Sequence, residues 1–150
     1  MAFELSLYTV SSEWKDDSDI KIKDLADESI KTPSLHAKYL DYLISAKKQL
    51  QQREVELNKY RVLRSKYFKH ELSKDELKEH GWEPYQFNKP VKQELDDLLL
   101  TDQTFIDLSA RVNDGKTLVT TCEKILDSIG KRDYAIGNAT KLILYSNGLN

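Results

Sequence analysis

The basic residues between positions 47 and 70 form the strongest chemical pattern in this sequence of 150 residues. This segment carries eight basic side chains against two acidic ones, and the run from Lys59 to His70 contains no acid. Unpaired cations repel one another unless an anion approaches, and phosphates supply such an anion. Aromatic side chains on which unstacked bases could lie are interspersed among these cations: Tyr60, Tyr67 and Phe68. The pattern alone leaves three uses open: nucleic-acid binding, a solvated or acidic-protein-binding face, and an anionic membrane surface.

Catalytic chemistry has little support in the sequence. It contains no phosphate-binding G-x-x-x-x-G-K-[ST] loop, no G-x-G-x-x-G, no G-x-S-x-G elbow and no H-E-x-x-H. His36, His70 and His80 are far apart and lack the spacing of metal ligands. Cys122 lies in an apolar helical stripe, which is typical of a core position. The sequence therefore predicts a protein that is not an enzyme, with no catalytic residue, metal or cofactor.

One acidic cluster, Glu94, Asp96, Asp97 and Asp102, resembles the carboxylate sets of magnesium-dependent nucleases. Acids near a helix start and on its solvent face are also ordinary helix electrostatics. We therefore rank a nuclease well below the alternatives without catalysis.

A long helix must carry the basic segment. Thr32 before Pro33 has the pattern of a helix start, and no Gly or Pro interrupts residues 34–80. Two heptad rows follow, one with Leu43, Leu50, Leu57 and Arg64, the other with Tyr39, Ala46, Arg53, Tyr60 and Tyr67. The pattern predicts a helix from about Pro33 to beyond Leu72. Because the two arginines of the seam are costly to bury unpaired, we expect the seam to open or face a groove there.

The flanking segments complete an all-α prediction. Residues 1–31 are acidic and are interpreted as a partly ordered N-terminal arm, whereas residues 32–150 are interpreted as one helical domain. A loop with Trp82, Tyr85 and Phe87 follows the long helix, and its aromatics either pin it to the core or stack on bases or a partner. One or two helices then run from about Pro90 to Tyr145, and an amphipathic face at the end is suited to being covered.

The amino-acid composition indicates the kind of cellular compartment in which the protein works. Cys122 is the single cysteine, so no internal disulfide is possible, and a reducing compartment is the natural interpretation. No apolar run approaches the length needed to cross a bilayer, and the start of the chain lacks the pattern of a signal peptide. We expect the protein to stay in the compartment where it is made.

Two stretches of the sequence resemble the recombination mediator UvsY family of tailed phages. Leu63-Arg64-Ser65-Lys66 is similar to the family's L-K-A-R motif with Lys and Arg exchanged, and Ile125 to Ile136 (ILDSIGKRDYAI) is similar near the C-terminus. The resemblance covers most of residues 25–143. The exchange of Lys for Arg preserves phosphate attraction but changes any bidentate geometry.

The resemblance implies a helical protomer in a ring-like or open-barrel homo-oligomer, held together by the amphipathic C-terminal helix. It makes residues 32–150 the DNA-binding and oligomerisation domain. It implies binding of single-stranded DNA, contact with the phage single-strand DNA-binding protein, and loading of a RecA-like phage recombinase in the cytoplasm of the infected host cell. By position, Arg64 and Lys66 would contact DNA, and Lys59, Arg61 and Lys69 would add attraction. The rival is a structural coiled-coil assembly or scaffolding protein whose basic stripe pairs with the acidic residues 71–114 of a neighbour.

Overall fold

The computed structural model describes residues 4–148, and every regular element in that range is helical. The all-α prediction is therefore confirmed. The elements are α1 (Leu7–Asp17), a 3₁₀ turn (Ile22–Asp24), α2 (Leu25–Phe68), α3 (Lys74–His80), α4 (Lys92–Leu100), α5 (Gln103–Gly130) and α6 (Arg132–Ser146). Within the described range, no helix is long and apolar enough to cross a membrane.

The chain divides into two compact units. The first unit comprises Met1–Leu50 and Asp114–Asn150, and the second comprises Gln51–Asn113. Helices α2 and α5 each contribute residues to both units because their bounds cross the divisions.

The core of the first unit follows the predicted apolar spacing. Tyr39 and Ala46, seven residues apart on α2, are fully buried, as expected for one row of a heptad pattern. Cys122 is also buried, and burial raises the pKa of its thiol, with a smaller contribution from Glu123. The buried cluster consists of Leu5, Val10, Tyr39, Ala46, Leu118, Cys122, Ile125 and Ile129.

Helix α1 packs into this core, so residues 7–17 of the acidic arm are ordered. Its acids accept hydrogen bonds from α2: Asp17 from Lys38 at 2.7 Å and from Tyr39 at 2.8 Å, and Glu13 from Tyr42. Burial opposes ionisation of Asp17, but these hydrogen bonds outweigh it and lower the pKa of the carboxyl. The hydrogen bond to Glu13 raises the pKa of Tyr42 to about 12. Glu13 and Asp17 of the arm thus make internal contacts.

The predicted start of the long helix at Pro33 is wrong. Helix α2 begins at Leu25 and contains Pro33, although an internal proline removes a hydrogen bond and crowds the preceding turn. A buried side chain from α6 holds that turn: Arg132 donates to the Glu28 carboxylate at 2.5 Å, to the Glu28 backbone O at 2.9 Å and to Thr32 Oγ1 at 3.2 Å. Tertiary contacts therefore override the local start signal.

The predicted end of α2 beyond Leu72 is also wrong. The helix ends at Phe68 because His70 takes a left-handed conformation with φ of 60°. The Glu71 N–H donates to Lys66 O at 2.9 Å, and the His70 N–H donates to Tyr67 O at 3.2 Å, which is the Schellman pattern of a helix end. Helix α3 then starts anew, with Ser73 as its cap in a reciprocal capping box.

The second half contains three helices after Pro90, not the one or two predicted. A break at Thr101 and Asp102 separates α4 from α5, and Lys131 separates α5 from α6. Helix α5 continues through Asn113-Asp114-Gly115, which confirms the prediction that this sequence does not stop the helix. In the second unit Leu95 and Leu99, one turn apart, form the buried face of α4.

Candidate nucleic-acid interface

The five predicted DNA-contacting residues all lie on α2 within the second unit. Lys59, Arg61 and Lys66 are exposed, whereas Arg64 and Lys69 are half-buried. Because one helix rigidly positions them, their relative spacing follows from 3.6 residues per turn. The five residues therefore form an exposed group and a half-buried group. The two residues of the family motif fall in different groups, since Lys66 is exposed and Arg64 is half-buried.

Arg61, Lys66 and Lys69 line an open groove of about 610 Å³ between α2 and the start of α4. Arg61, Ser65 and Lys69 share one side of a helix, since they follow one another at intervals of four residues, and Lys66 lies next to Ser65. Lys92 faces them from the first turn of α4. The complete lining is Arg61, Val62, Ser65, Lys66, Lys69, Glu71, Pro90, Lys92, Leu95, Asp96 and Leu99.

The electrostatic balance of this groove is positive. Four cations line it against two carboxylates, Glu71 and Asp96. In the part of the chain that the structure describes, no ion pair involves the groove cations Arg61, Lys66, Lys69 and Lys92. A groove whose cations outnumber its carboxylates favours an anionic ligand. The groove is therefore a candidate site for a chain of phosphates.

Arg64, in contrast, is engaged within the protein. Its Nε donates to Asp102 Oδ2 at 2.9 Å, and the two side chains are 20% and 9% exposed. Its guanidinium carbon also lies 4.4 Å from the ring centroid of Tyr67, 5.0 Å from that of Phe68 and 4.6 Å from that of Trp82. Such cation–π contacts are favourable where the cation is partly desolvated. Arg64 thus ties α2 to the break before α5 and to the loop after α3.

Asp102 is the acceptor at the centre of this arrangement. It also accepts from the Tyr60 hydroxyl at 2.7 Å and from the Phe105 N–H at 3.0 Å, so it caps the first turn of α5. Burial opposes its ionisation, but the hydrogen bonds from Tyr60, Phe105 and Arg64 outweigh it and lower the pKa of the carboxyl. Burial and the bond to Asp102 raise the pKa of Tyr60. The cluster is therefore ionised at neutral pH with Tyr60 as a donor.

The sequence predicts that the heptad seam opens or faces a groove at its two arginines, and of these alternatives the opening is wrong. The seam supplies internal acceptors instead: Arg64 has Asp102, and Arg53 Nη1 donates to Arg111 O at 2.9 Å. Arg111 in turn pairs with Glu56 at 3.2 Å. Buried or half-buried arginines are stable where such acceptors are available.

The aromatic loop after α3 is only partly packed. Trp82 stacks on His80 with ring centroids 4.7 Å apart and contacts Tyr67 at 5.3 Å. Tyr85 contacts Phe68 at 5.0 Å. Phe87, however, is 71% exposed. The prediction that the aromatics pin the loop therefore describes Trp82 and Tyr85 but not Phe87.

Three of the four acids considered for a nuclease have other partners. Glu94 accepts from the Val91 N–H at 3.3 Å and so caps α4, and Asp97 accepts from Gln93 at 3.4 Å. Asp102 belongs to the Arg64 cluster. No group of three or more potential ligands capable of holding a metal ion occurs among residues 4–148.

Sequence reasoning missed one residue of the groove, Lys92, and the role of Asp102, which it considered only for a nuclease. Lys92 completes the groove from α4, and Asp102 pairs with Arg64. Lys92 gave no pattern because it is the only cation on its helix. Asp102 did have a signal, because an Asp three residues before the apolar Phe105 has the pattern of a helix cap.

Together these features define an all-α protein that carries a positively charged groove on a long helix. The chain belongs to the UvsY family: the family described as "Recombination, repair and ssDNA binding protein UvsY" matches residues 13–149. The resemblance predicted from the sequence is confirmed at this level.

Solved structures agree on the fold. The crystal structure of the bacteriophage T4 recombination mediator protein UvsY in lattice type II is similar with a TM-score of 0.80 and 21% identity, covering 96% of this chain and 99% of that one. The lattice type IV structure of the same protein has a TM-score of 0.77 and 19% identity, covering 95% and 99%. No curated protein matches the chain. At these identities the structural likeness shows the shared fold.

Proposed function

We propose that this chain is a non-enzymatic recombination mediator that binds single-stranded DNA along the groove between α2 and α4. The observation that carries the proposal is the set of groove cations, for which the described residues provide no ion pair. Membership of a family described as recombination, repair and ssDNA binding supports the same class of ligand. Its place of action is the cytoplasm of the infected host cell.

Within the groove, Arg61, Lys66 and Lys69 are the proposed phosphate contacts, and Lys59 adds attraction from the neighbouring exposed face. These contacts grip the backbone without reading base edges, as expected for a protein that binds any sequence.

Arg64 has a different part in the proposal. Its internal ion pair and three aromatic neighbours make it a residue that positions α2 against Asp102 and Trp82. We therefore propose that the pair implied by the resemblance divides into a positioning residue, Arg64, and a phosphate contact, Lys66. Comparing the two single variants separates these roles.

The proposed mediator activity requires several copies of the chain. We propose a homo-oligomer, ring-like or open-barrel, in which α6 covers neighbouring copies. Tyr134, Leu142 and Tyr145 on α6 are exposed apolar or aromatic side chains that such contacts would bury. Linked sites of low affinity then add by avidity along one strand.

Mediation follows from differential binding. A strand held on the oligomer in a conformation that suits a RecA-like phage recombinase better than the phage single-strand DNA-binding protein shifts the competition toward the recombinase. The proposed partners are therefore single-stranded DNA, these two proteins and further copies of the chain.

The test is a titration of a fluorescent oligonucleotide at several salt concentrations. The Lys66→Ala variant should weaken binding and reduce the slope of log K against log salt by about 0.7 for each phosphate that the lysine neutralises. Arg64→Ala should lower thermal stability as well as affinity. Lys124→Ala, which removes an exposed cation of α5 outside the groove, is the matched control and should leave the slope unchanged.

The rival scaffold class predicts a different result. If the basic face pairs with acidic surfaces of neighbouring copies, the wild-type protein will not bind the oligonucleotide even at low salt, and Lys66→Ala will reduce the mass measured by light scattering. Cleavage of the strand on addition of magnesium would instead indicate a nuclease.

A further inference from the structure

Phe87 is an exposed aromatic ring on a loop whose backbone is fixed. Its ring is 71% exposed, although most large apolar side chains of the second unit are at least partly covered. The His70 ring Nε2 is 2.8 Å from Phe87 O, and the Tyr67 hydroxyl donates to Glu83 O at 2.6 Å. An exposed ring on an ordered support loses little conformational entropy when a ligand packs on it.

The ring continues a row of aromatic contacts. Tyr85 lies 5.5 Å from Phe87 between ring centroids, and Tyr85 in turn contacts Phe68, which is buried, at 5.0 Å. Three rings therefore run outward from the interior of the second unit. Among the described residues, the outermost ring has no aromatic neighbour other than Tyr85.

The loop that carries this ring adjoins residues that line the cationic groove. His70, which holds the Phe87 backbone, directly follows Lys69, and Pro90 comes three residues after Phe87; both Lys69 and Pro90 line the groove. Lys89, the residue before Pro90, is also exposed. A phosphate chain in the groove would therefore bring its bases within reach of an aromatic face.

We propose that Phe87 stacks on a nucleobase of the bound single strand and so makes the site prefer unpaired bases over an equivalent chain of phosphates. The inference rests on the proposed function, because it needs the groove to hold a strand. Stacking on an aromatic side chain tolerates every base, since each has a π face. In a duplex the bases are already stacked and paired, so this contact favours single strands.

The experiment compares two labelled strands of equal length, oligo(dT) and an abasic deoxyribose-phosphate strand. Phe87→Ala should weaken binding of oligo(dT) by roughly fivefold or more and leave binding of the abasic strand unchanged. Phe87→Trp should restore the affinity, whereas Phe87→Leu, which keeps apolar bulk without a π face, should not. Tyr8→Ala, which removes an exposed ring of α1 in the first unit, is the control and should bind as the wild type does.

Each outcome supports or contradicts the proposed stacking contact of Phe87. Equal weakening on both strands, or an unchanged affinity of Phe87→Ala for oligo(dT), would overturn the stacking contact and favour a protein-binding use of the ring. Equal affinity of Phe87→Leu and Phe87→Trp would overturn it even if the alanine variant folded poorly. Failure of the wild type to bind either strand at low salt overturns the proposed function itself, which is a distinct outcome.

Discussion

Replacing Asp102 with Asn should reveal how strongly the Arg64 cluster holds the second unit. In the wild type, Oδ1 accepts from Tyr60 and Phe105 while Oδ2 accepts from Arg64 Nε. An asparagine keeps one oxygen but replaces the other by an NH₂ donor. If the oxygen keeps the first two bonds, the amide places its donor against the Arg64 donor. If the amide turns over, the Phe105 N–H loses its acceptor.

The size of the loss follows from these hydrogen bonds. A hydrogen bond to a charged group contributes about 1.5–3 kcal/mol, and breaking a buried ion pair costs about 3–5 kcal/mol. Asp102 is 9% exposed but Arg64 is 20% exposed, so water partly compensates the arginine. We therefore expect the variant to lose about 2–3 kcal/mol of unfolding free energy.

The loss should depend on pH. The folded pKa of Asp102 is lowered, so its ionised form stabilises the fold above the unfolded pKa of about 3.9, and this contribution disappears as pH falls through the folded value. The stability difference between wild type and Asp102→Asn should accordingly be full at pH 7 and shrink below about pH 4.

Urea unfolding monitored by Trp82 fluorescence measures this difference, with Trp14→Phe in both proteins so that a single tryptophan reports. Trp82 is a suitable probe because it contacts Arg64 directly. Asp97→Asn is the matched control, since Asp97 is exposed on α4 and its side chain accepts from Gln93. An unchanged midpoint at pH 7, or a difference that persists undiminished at about pH 3, would refute the reasoning.

Three further results are expected. Ile129→Ala, at a position 1% exposed in the first-unit core, should lose about 3 kcal/mol by cavity formation in urea titrations; a loss below about 1 kcal/mol would contradict the packing. Ser73→Ala removes the hydroxyl half of its exchange with Glu76 and should cost about 1 kcal/mol, seen as faster amide exchange confined to α3. Cys122, buried and with a raised pKa, should resist a thiol reagent in the native state and react on unfolding; prompt labelling of folded protein would contradict its burial.

The spacing of apolar residues predicted the helices well because the buried side chains recur at the helical period. Tyr39 and Ala46 are buried as one heptad row requires. The ends of α2 escaped prediction for different reasons. Pro33 sits inside the helix because Arg132, distant in sequence, holds the turn before it. The end at Phe68 depends on a histidine in the left-handed region, which local sequence seldom signals.

The positive charge of the candidate site could be predicted from the sequence. Which of its cations make internal contacts and which stay exposed could not. A run without acids identifies a basic helix face, yet only the folded chain shows that Arg64 meets Asp102 whereas Lys66 stays exposed. The pairing joins residues 38 positions apart, and no spacing rule connects them. The position of Lys92 could not be predicted either, because it depends on tertiary packing. Leu95 and Leu99 form the buried face of α4, and Lys92 of the same helix lines the groove.

The discontinuous chain path of the first unit has a consequence for synthesis. Arg132 follows Glu28 by 104 residues, which a ribosome adds in roughly 5–20 s. Until Arg132 has been added, Val10 and Tyr39 lack the α5 side chains that cover them, whereas the contiguous second unit needs no residue after 113. We expect the middle of the protein to acquire structure before its two ends join. Nascent chains stalled once residues 51–113 have emerged from the ribosome should therefore resist protease around Trp82 while remaining cleavable near Trp14.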